Sequence, residues 1–347
     1  MVYLKTYLQI ESQPYQNDNN PKEVLDEKKL APWISDQTLL IKNPLYRLHN
    51  EIIELTEYLA PTKEEHELRI KSFENLTQII KSVIPDCEVK TFGSFSSKLY
   101  LPNSDIDIVI VKEGESNKYL YKKVADVVLT CEDIYENISF ITNAKVPLIK
   151  FVEKSTQTNF DISFNKEDGV KQLPEVQKCL QIYPEIKYLI FIMKCILRQR
   201  DLNETYTGGI GSFLLFCMIL AFLRELRKEY KDNNKVSEIK NITLGEYLLK
   251  MFKFYSNFDV ERKKIIMTNQ GGIYDKDNRD RKFSLISPQD QSHDIGSSSF
   301  KIKESVFPLF KNRFQFFTNY NFKAQESVLK YLVNPSGNTF TFQKDNS

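Results

Sequence analysis

The run Asp105-Ile106-Asp107-Ile108-Val109-Ile110-Val111 constrains this chain more than any other stretch. Side chains of a strand alternate between faces, so Ile106, Ile108 and Ile110 share one face and Asp105 and Asp107 the other. The apolar face demands a core. The opposite face carries two close carboxylates, which repel each other and resist joint ionisation unless a cation stands between them. Such a pair is costly as mere structure and well suited to a divalent metal. Upstream, Gly93-Ser94 follows an expected strand over residues 88–91 and precedes an expected short helix near residues 96–100. A glycine and a serine at a strand-to-helix turn can aim backbone N–H groups and a hydroxyl at phosphate. Residues 146–152 and 159–164 read as two further strands, the second carrying Asp161 between Phe160 and Ile162. A third carboxylate on a neighbouring strand completes a set suited to two Mg2+ or Mn2+ ions, around which a hydroxyl attacks a nucleotide phosphate in line. Singly the pieces are ordinary: a turn, a solvated strand face, an edge polar residue. Their order and spacing together point to an active site.

Phe92-Gly93-Ser94 through Asp105-Ile106-Asp107 resembles the signature of the DNA polymerase β-like nucleotidyltransferases. The resemblance extends over about residues 30–300. Pro32-Trp33, residues 62–69, Leu99-Tyr100-Leu101-Pro102, residues 146–152, residues 199–204, residues 206–212, Pro288-Gln289-Asp290 and Asp294-Ile295-Gly296 are similar to the template-independent poly(A) polymerases of nuclear RNA surveillance. The terminal uridylyltransferases share the same framework. The resemblance implies an α+β chain with an active-site cleft between two domains. One is a catalytic mixed-sheet domain at residues 60–165. The other is a mostly helical central domain built from residues 41–59 and 166–340. A flexible or docking arm (1–40) and a tail (341–347) are expected outside them.

The second block reads as helical over residues 184–200, 211–228 and 244–254, and residues 307–333 are rich in aromatics. Those aromatics suit either core packing or stacking on RNA bases. Lys194 and Arg198 are four residues apart on an otherwise apolar helix and share one face. From periodicity alone they are either a surface pair or a triphosphate clamp; the resemblance implies the clamp, with Arg198 in place of the usual lysine. By the same resemblance Ser212 contacts phosphate, while Phe213 stacks on the base without the hydroxyl that a tyrosine would bring. Asp168 stands where the poly(A) polymerases often have asparagine, and an ionised aspartate can only accept hydrogen bonds. His293 sits where the resemblance places the base-reading loop. An imidazole N–H can donate to uracil O4 and crowd a purine, whereas a loop histidine can equally be solvated.

The reading is template-independent addition of nucleotides to RNA 3′ ends. Asp105, Asp107 and Asp161 hold two metals, and Gly93, Ser94, Lys194, Arg198 and Ser212 hold the triphosphate. UTP is the expected nucleotide and ATP the alternative; an inactive scaffold is the competing class, against which the intact carboxylates and Gly-Ser turn argue. The formal net charge of the chain is only +2, so RNA contact must come from local clusters rather than from a polycationic surface. No RNA-binding module is recognisable in the sequence, so a protein partner that selects the RNA is expected. Five scattered cysteines without metal-ligand spacing suit a reducing compartment. With no signal peptide or membrane span apparent, an intracellular protein of the nucleus or cytoplasm is expected.

Overall fold

The computed structural model describes residues 31–142, 147–269 and 271–334. The chain opens with a short helix, α1 (Asp36–Leu39), and α2 (Pro44–Leu59), followed by α3 (Lys63–Val83). Thr62 starts α3 through a capping box: Glu65 N–H donates to Thr62 Oγ1 at 3.1 Å and Thr62 N–H to Glu65 Oε2 at 2.6 Å. Next come β1 (Glu88–Phe92), α4 (Gly93–Ser97), β2 (Ile106–Val111), α5 (Asn117–Thr130), β3 (Tyr135–Ile141), β4 (Leu148–Glu153) and β5 (Thr158–Phe164). Their sheet has the order β1-β2-β5-β4-β3, with β2 and β5 parallel and every other pair antiparallel. On one face Ile106, Ile108, Ile110, Ile149, Phe160 and Ile162 are buried beneath α3 and α5, which contribute Leu76, Ile80, Leu120 and Val124. Each such side chain contributes about 1.5–3 kcal/mol by leaving water. The alternation along β2 thus leaves the carboxylates on the opposite face.

The remaining helices are α6 (Asp168–Ile182), α7 (Glu185–Arg198), α8 (Ser212–Asp232), α9 (Leu244–Ser256) and α10 (Phe307–Asn319). A second hydrophobic core joins Leu48, Ile52 and Leu55 of α2 to α7, α8, α9 and α10. A small sheet also occurs here, in the order β7 (Gly272–Asp275), β6 (Lys263–Ile266), β8 (Leu285–Ile286). Ile265 of β6 and Leu285 of β8 are its buried members, and β7 gives way to a loop after Asp275.

The described part of the expected N-terminal arm is no arm. Ala31, Trp33, Ile34 and Leu39 are buried in the helical core, because apolar side chains at this spacing find a surface there. Residues 1–30 and the tail at 341–347 lie outside the described residues. The C-terminal aromatics settle into packing: Phe310 and Phe317 are buried, and Phe316 stacks on Tyr320 at 4.8 Å. Helix α10 stops at Asn319, and a turn-rich segment beyond it is stitched onto α2. Buried Arg47 donates to Ile41 C=O and Lys323 C=O, both at 2.8 Å. Buried Glu51 accepts from Ser327 Oγ at 2.5 Å, Val328 N–H at 2.7 Å and Leu329 N–H at 3.2 Å.

Candidate active site

Register builds the site. Asp107 on β2 lies beside Asp161 on β5, and Asp161 beside Lys150 on β4, so three charged side chains form a row across the polar face. Asp105 stands one residue before β2, on the same side. Burial pushes the Asp107 carboxyl up to about 7, with the charges of Asp161 and Asp105 adding to the rise and Lys194 and Lys150 opposing it. Burial and Asp105 raise Asp161 to about 6 against the pull of Lys150. The row therefore has an excess of negative charge that proton uptake or a bound cation relieves.

Lys150 supplies part of that relief. Its Nζ donates to Asp161 and lies 4.0 Å from Asp105 Oδ2. Burial opposes its charge, but Asp161, Asp105 and Glu204 outweigh that and raise its pKa. Sequence alone does not distinguish Lys150, one polar residue inside an apolar strand. Its partner becomes visible only when β4 is paired with β5.

Gly93 opens α4 at a φ of +66°, a conformation glycine adopts freely. The short helix begins at this turn rather than near Ser96. A Cβ on Gly93 would collide with Asp107 Oδ2 and stand 3.2 Å from its Cγ, so the backbone rests directly on the carboxylate. No side chain caps α4. Helix α4 also touches α8, whose first two residues are Ser212 and Phe213. Phe213 lies half-buried, parallel to Phe216 at 6.4 Å.

Lys194 and Arg198 reach the same region from α7. Lys194 Nζ donates to Leu99 C=O at 2.6 Å, and Arg198 to Pro102 C=O at 3.2 Å. Burial lowers the Lys194 ammonium to about 8, with Asp107 holding the proton on and Arg198 pushing it off. Both cations thus hold the loop that leads into Asp105. Arg69 of α3 holds it from the other side, donating to Ser104 C=O with its guanidinium 5.1 Å from the Tyr100 ring. Asp168 serves as the first residue of α6, where a carboxylate favours the helix dipole, and pairs with Lys166 at 3.7 Å. His293 is exposed on the loop after β8; its C=O accepts from Ser287 N–H at 2.9 Å and its N–H donates to Asp290 C=O at 3.1 Å. Asp294 fixes this loop by accepting from Leu285, Gly296 and Ser297 N–H groups. The structure places His293 on a shaped loop beside Asp290.

Among the described residues, no three acidic, histidine or cysteine side chains already close around one point as a metal cage. The donor set nevertheless fits a hard divalent ion in kind: carboxylates from adjacent strands, mutually raised in proton affinity, with an ammonium among them.

Residues 48–177 match the family described as poly(A) RNA polymerase, mitochondrial-like, central palm domain. Superposed on the polymerase core of TRAMP, an RNA surveillance complex, the chain gives a TM-score of 0.74 at 26% identity, covering 93% of this chain and all of that one. The chain belongs to the polymerase-β-like nucleotidyltransferases. Within them its relatives include the poly(A) RNA polymerase CID14 of Cryptococcus neoformans, 33% identical over 82% of this chain and 38% of that one. The inactive non-canonical poly(A) RNA polymerase protein Trf4-2 of Drosophila melanogaster is 27% identical over 74% of this chain and 64% of that one. The Cid1 poly(U) polymerase shares the fold, with a TM-score of 0.69 at 18% identity over 82% of this chain and 97% of that one. This nucleotidyltransferase chain spans roughly two-fifths to a half of the length of the first curated relatives it matches. Among its described residues, no helix is long and apolar enough to cross a membrane.

Proposed function

We propose that this nucleotidyltransferase adds nucleotides to RNA 3′ ends without a template, and that ATP is its nucleotide. The row of Asp107, Asp161 and Lys150 beside Asp105, facing the Gly93 turn, carries the reading. Asp105 and Asp107 would hold two divalent ions, Mg2+ or Mn2+, with Asp161 completing the site on the side of the attacking hydroxyl. Bound there, the ions supply charge neutralisation and activate the hydroxyl and the phosphate.

The chain's own groups do the rest. The Gly93 turn and Ser94 offer N–H and hydroxyl donors to one side of the triphosphate. Lys194 and Arg198, close to Asp107 and to the loop at Leu99, offer charge from the other side. Ser212 adds a hydroxyl, and Phe213 a ring face for the base. Lys150 keeps Asp161 charged and pointed into the site until the reactants arrive. Two relatives of this chain are named poly(A) RNA polymerases and its fold matches the core of an RNA surveillance complex, which favours ATP, a protein partner that selects the RNA and an intracellular setting.

UTP is the second reading, and exposed His293 is the feature that favours it. The test is extension of labelled single-stranded RNA by the purified chain with each nucleotide supplied alone. Extension with ATP over UTP, lost in Asp107→Asn, is the expected result. Preference for UTP would overturn the nucleotide assignment. No extension with any nucleotide would place the chain with inactive relatives.

A further inference from the structure

Tyr206 and Phe300 are 82% and 64% exposed, more than any other large apolar side chain among the described residues. They belong to touching loops. Tyr206 stands in the 3-10 turn Thr205–Thr207, closed by Gly208 N–H to Thr205 C=O at 2.9 Å and Gly209 N–H to Glu204 C=O at 2.8 Å. Lys301 N–H donates to Gly208 C=O at 2.9 Å, and Ser299 Oγ to Gly209 C=O at 2.7 Å. The Phe300 ring lies so close on Gly208 that a Cβ there would collide with ring carbons Cε2, Cζ and Cδ2. Gly208 has a φ of +83°, so glycine is required both by the backbone and by the ring above it.

Exposure normally accompanies mobility, yet the backbones that carry both rings are tied down and Phe300 rests on Gly208. A planar ligand gains from rings on an ordered backbone, because that part of the ordering entropy has already been spent in folding. The position suggests which ligand. Two residues before Tyr206, the Glu204 carboxylate interacts electrostatically with Lys150, Asp105 and Arg198, so one end of the platform meets the carboxylate site. At the other end Phe300 lines a cavity of about 210 Å³ with Arg281, Lys282 and Lys303, and Glu304 is the one carboxylate in its wall. Acid at one end, two rings, then base is the order a single strand needs: reacting 3′ end, stacked bases, phosphates.

We propose that Tyr206 and Phe300 are a stacking platform for the nucleotides immediately upstream of the RNA 3′ end, and that Arg281 and Lys282 take the phosphates beyond them. The proposal rests on the RNA-extending function above and adds the path of the strand to it. Base stacking on aromatic rings tolerates every base, so the platform holds any single-stranded sequence and disfavours a duplex, whose bases are already stacked.

The experiment is fluorescence anisotropy of a fluorescein-labelled single-stranded oligoadenylate on the full chain without nucleotide, alongside extension kinetics. Tyr206→Ala and Phe300→Ala should each raise the Kd for oligoadenylate by about tenfold, with the KM for nucleotide unchanged. Tyr206→Phe keeps the ring and should keep the affinity, which a hydrogen-bonding role for the hydroxyl would not allow. Arg281→Ala should lower the salt dependence of binding. Thermal melts matching wild type confirm that Tyr206→Ala, at a site this exposed, is folded. Equal oligoadenylate affinity in wild type, Tyr206→Ala and Phe300→Ala overturns the proposal and leaves the rings as a docking site for another protein. Absence of oligoadenylate binding by wild type also overturns it. Failure of the function itself reads differently: wild type then binds oligoadenylate through the rings but extends it with no nucleotide.

Discussion

Replacing Gly93 by alanine asks whether the turn and the carboxylate work as one unit. Two costs can be separated. An L-residue held at a φ of +66° loses roughly 1 kcal/mol relative to glycine. The new Cβ also overlaps Asp107 Oδ2 and stands 3.2 Å from Cγ. Restoring an ordinary separation of about 3.5 Å moves the carboxylate by on the order of 1 Å. Turning Asp107 off its rotamer adds about 0.5–1.5 kcal/mol. The total, about 2 kcal/mol, should lower the melting temperature by only a few degrees in a chain of this size. Catalysis is far less tolerant, since a misplacement of that size costs about 100-fold in rate. Gly114→Ala is the control: its φ is +79° and nothing lies within 4 Å of its would-be Cβ, so it carries the strain without the collision. Single-turnover extension of labelled RNA, with melts by circular dichroism, should show both variants slightly destabilised and only Gly93→Ala slow. Activity within a few-fold of wild type in Gly93→Ala would refute the reasoning, as would an equal loss in Gly114→Ala.

Asp105→Ala, Asp107→Ala and Asp161→Ala should each abolish RNA extension, and Asp107→Ala should melt no lower than wild type in chelator, since the charge removed is one its neighbours repel. Near-wild-type extension in any of the three would remove that residue from the site. Lys194→Ala and Arg198→Ala should raise the nucleotide KM about tenfold or more, with RNA affinity held, as loss of a charge-assisted contact of about 1.5–3 kcal/mol requires. A constant KM would leave the two cations as braces of the loop at Leu99. His293→Asn should raise use of ATP relative to UTP by a factor equivalent to about 1–3 kcal/mol in kcat/KM, and an unchanged ratio would exclude His293 from base choice. His49 Nδ1 accepts from Leu244 N–H at 3.0 Å, and burial lowers its pKa from 6.5 to about 4, with Glu246 pulling the other way. The unfolded chain binds a proton there that the folded chain refuses. Stability is therefore full above pH 6.5 and falls towards pH 4, by up to about 3 kcal/mol, a slope that urea midpoints should show and His49→Gln should flatten.

How much of the molecule is legible in its sequence depends on how local each signal is. The carboxylate strand is legible because alternation along β2 is written in consecutive residues, and the Gly93 turn because one residue type marks it. Lys150 is not, since its partnership with Asp161 exists only in the register between β4 and β5. Helix α6 escapes a sequence reading because Pro174 lies inside it, a residue that ordinarily ends a helix. The small sheet escapes it because its strands are only two to four residues long and paired across intervening loops. Residues 31–40 resemble an arm because their apolar side chains acquire meaning only against helices far along the chain. Lys194 and Arg198 do share one helix face, but periodicity cannot say that Leu99 and Pro102 are their immediate partners.

The ties from Arg47 and Glu51 to the segment at residues 323–329 bear on how the molecule comes into being. Among the described residues, the core of the five-stranded sheet draws on residues 73–164, whereas the helical core draws on residues from 31 to 333. During synthesis the sheet can therefore be complete while the helical core still waits for its last part, with the apolar face of α2 unpaired and open to chaperones. Closure must await the arrival of Ser327, Val328 and Leu329 at Glu51, a join across 276 to 278 residues of chain. Such distant contacts form slowly. The carboxylate row is thus built first and the helical core closes last, so a chain stalled short of residue 327 would hold the row without its completed helical neighbour.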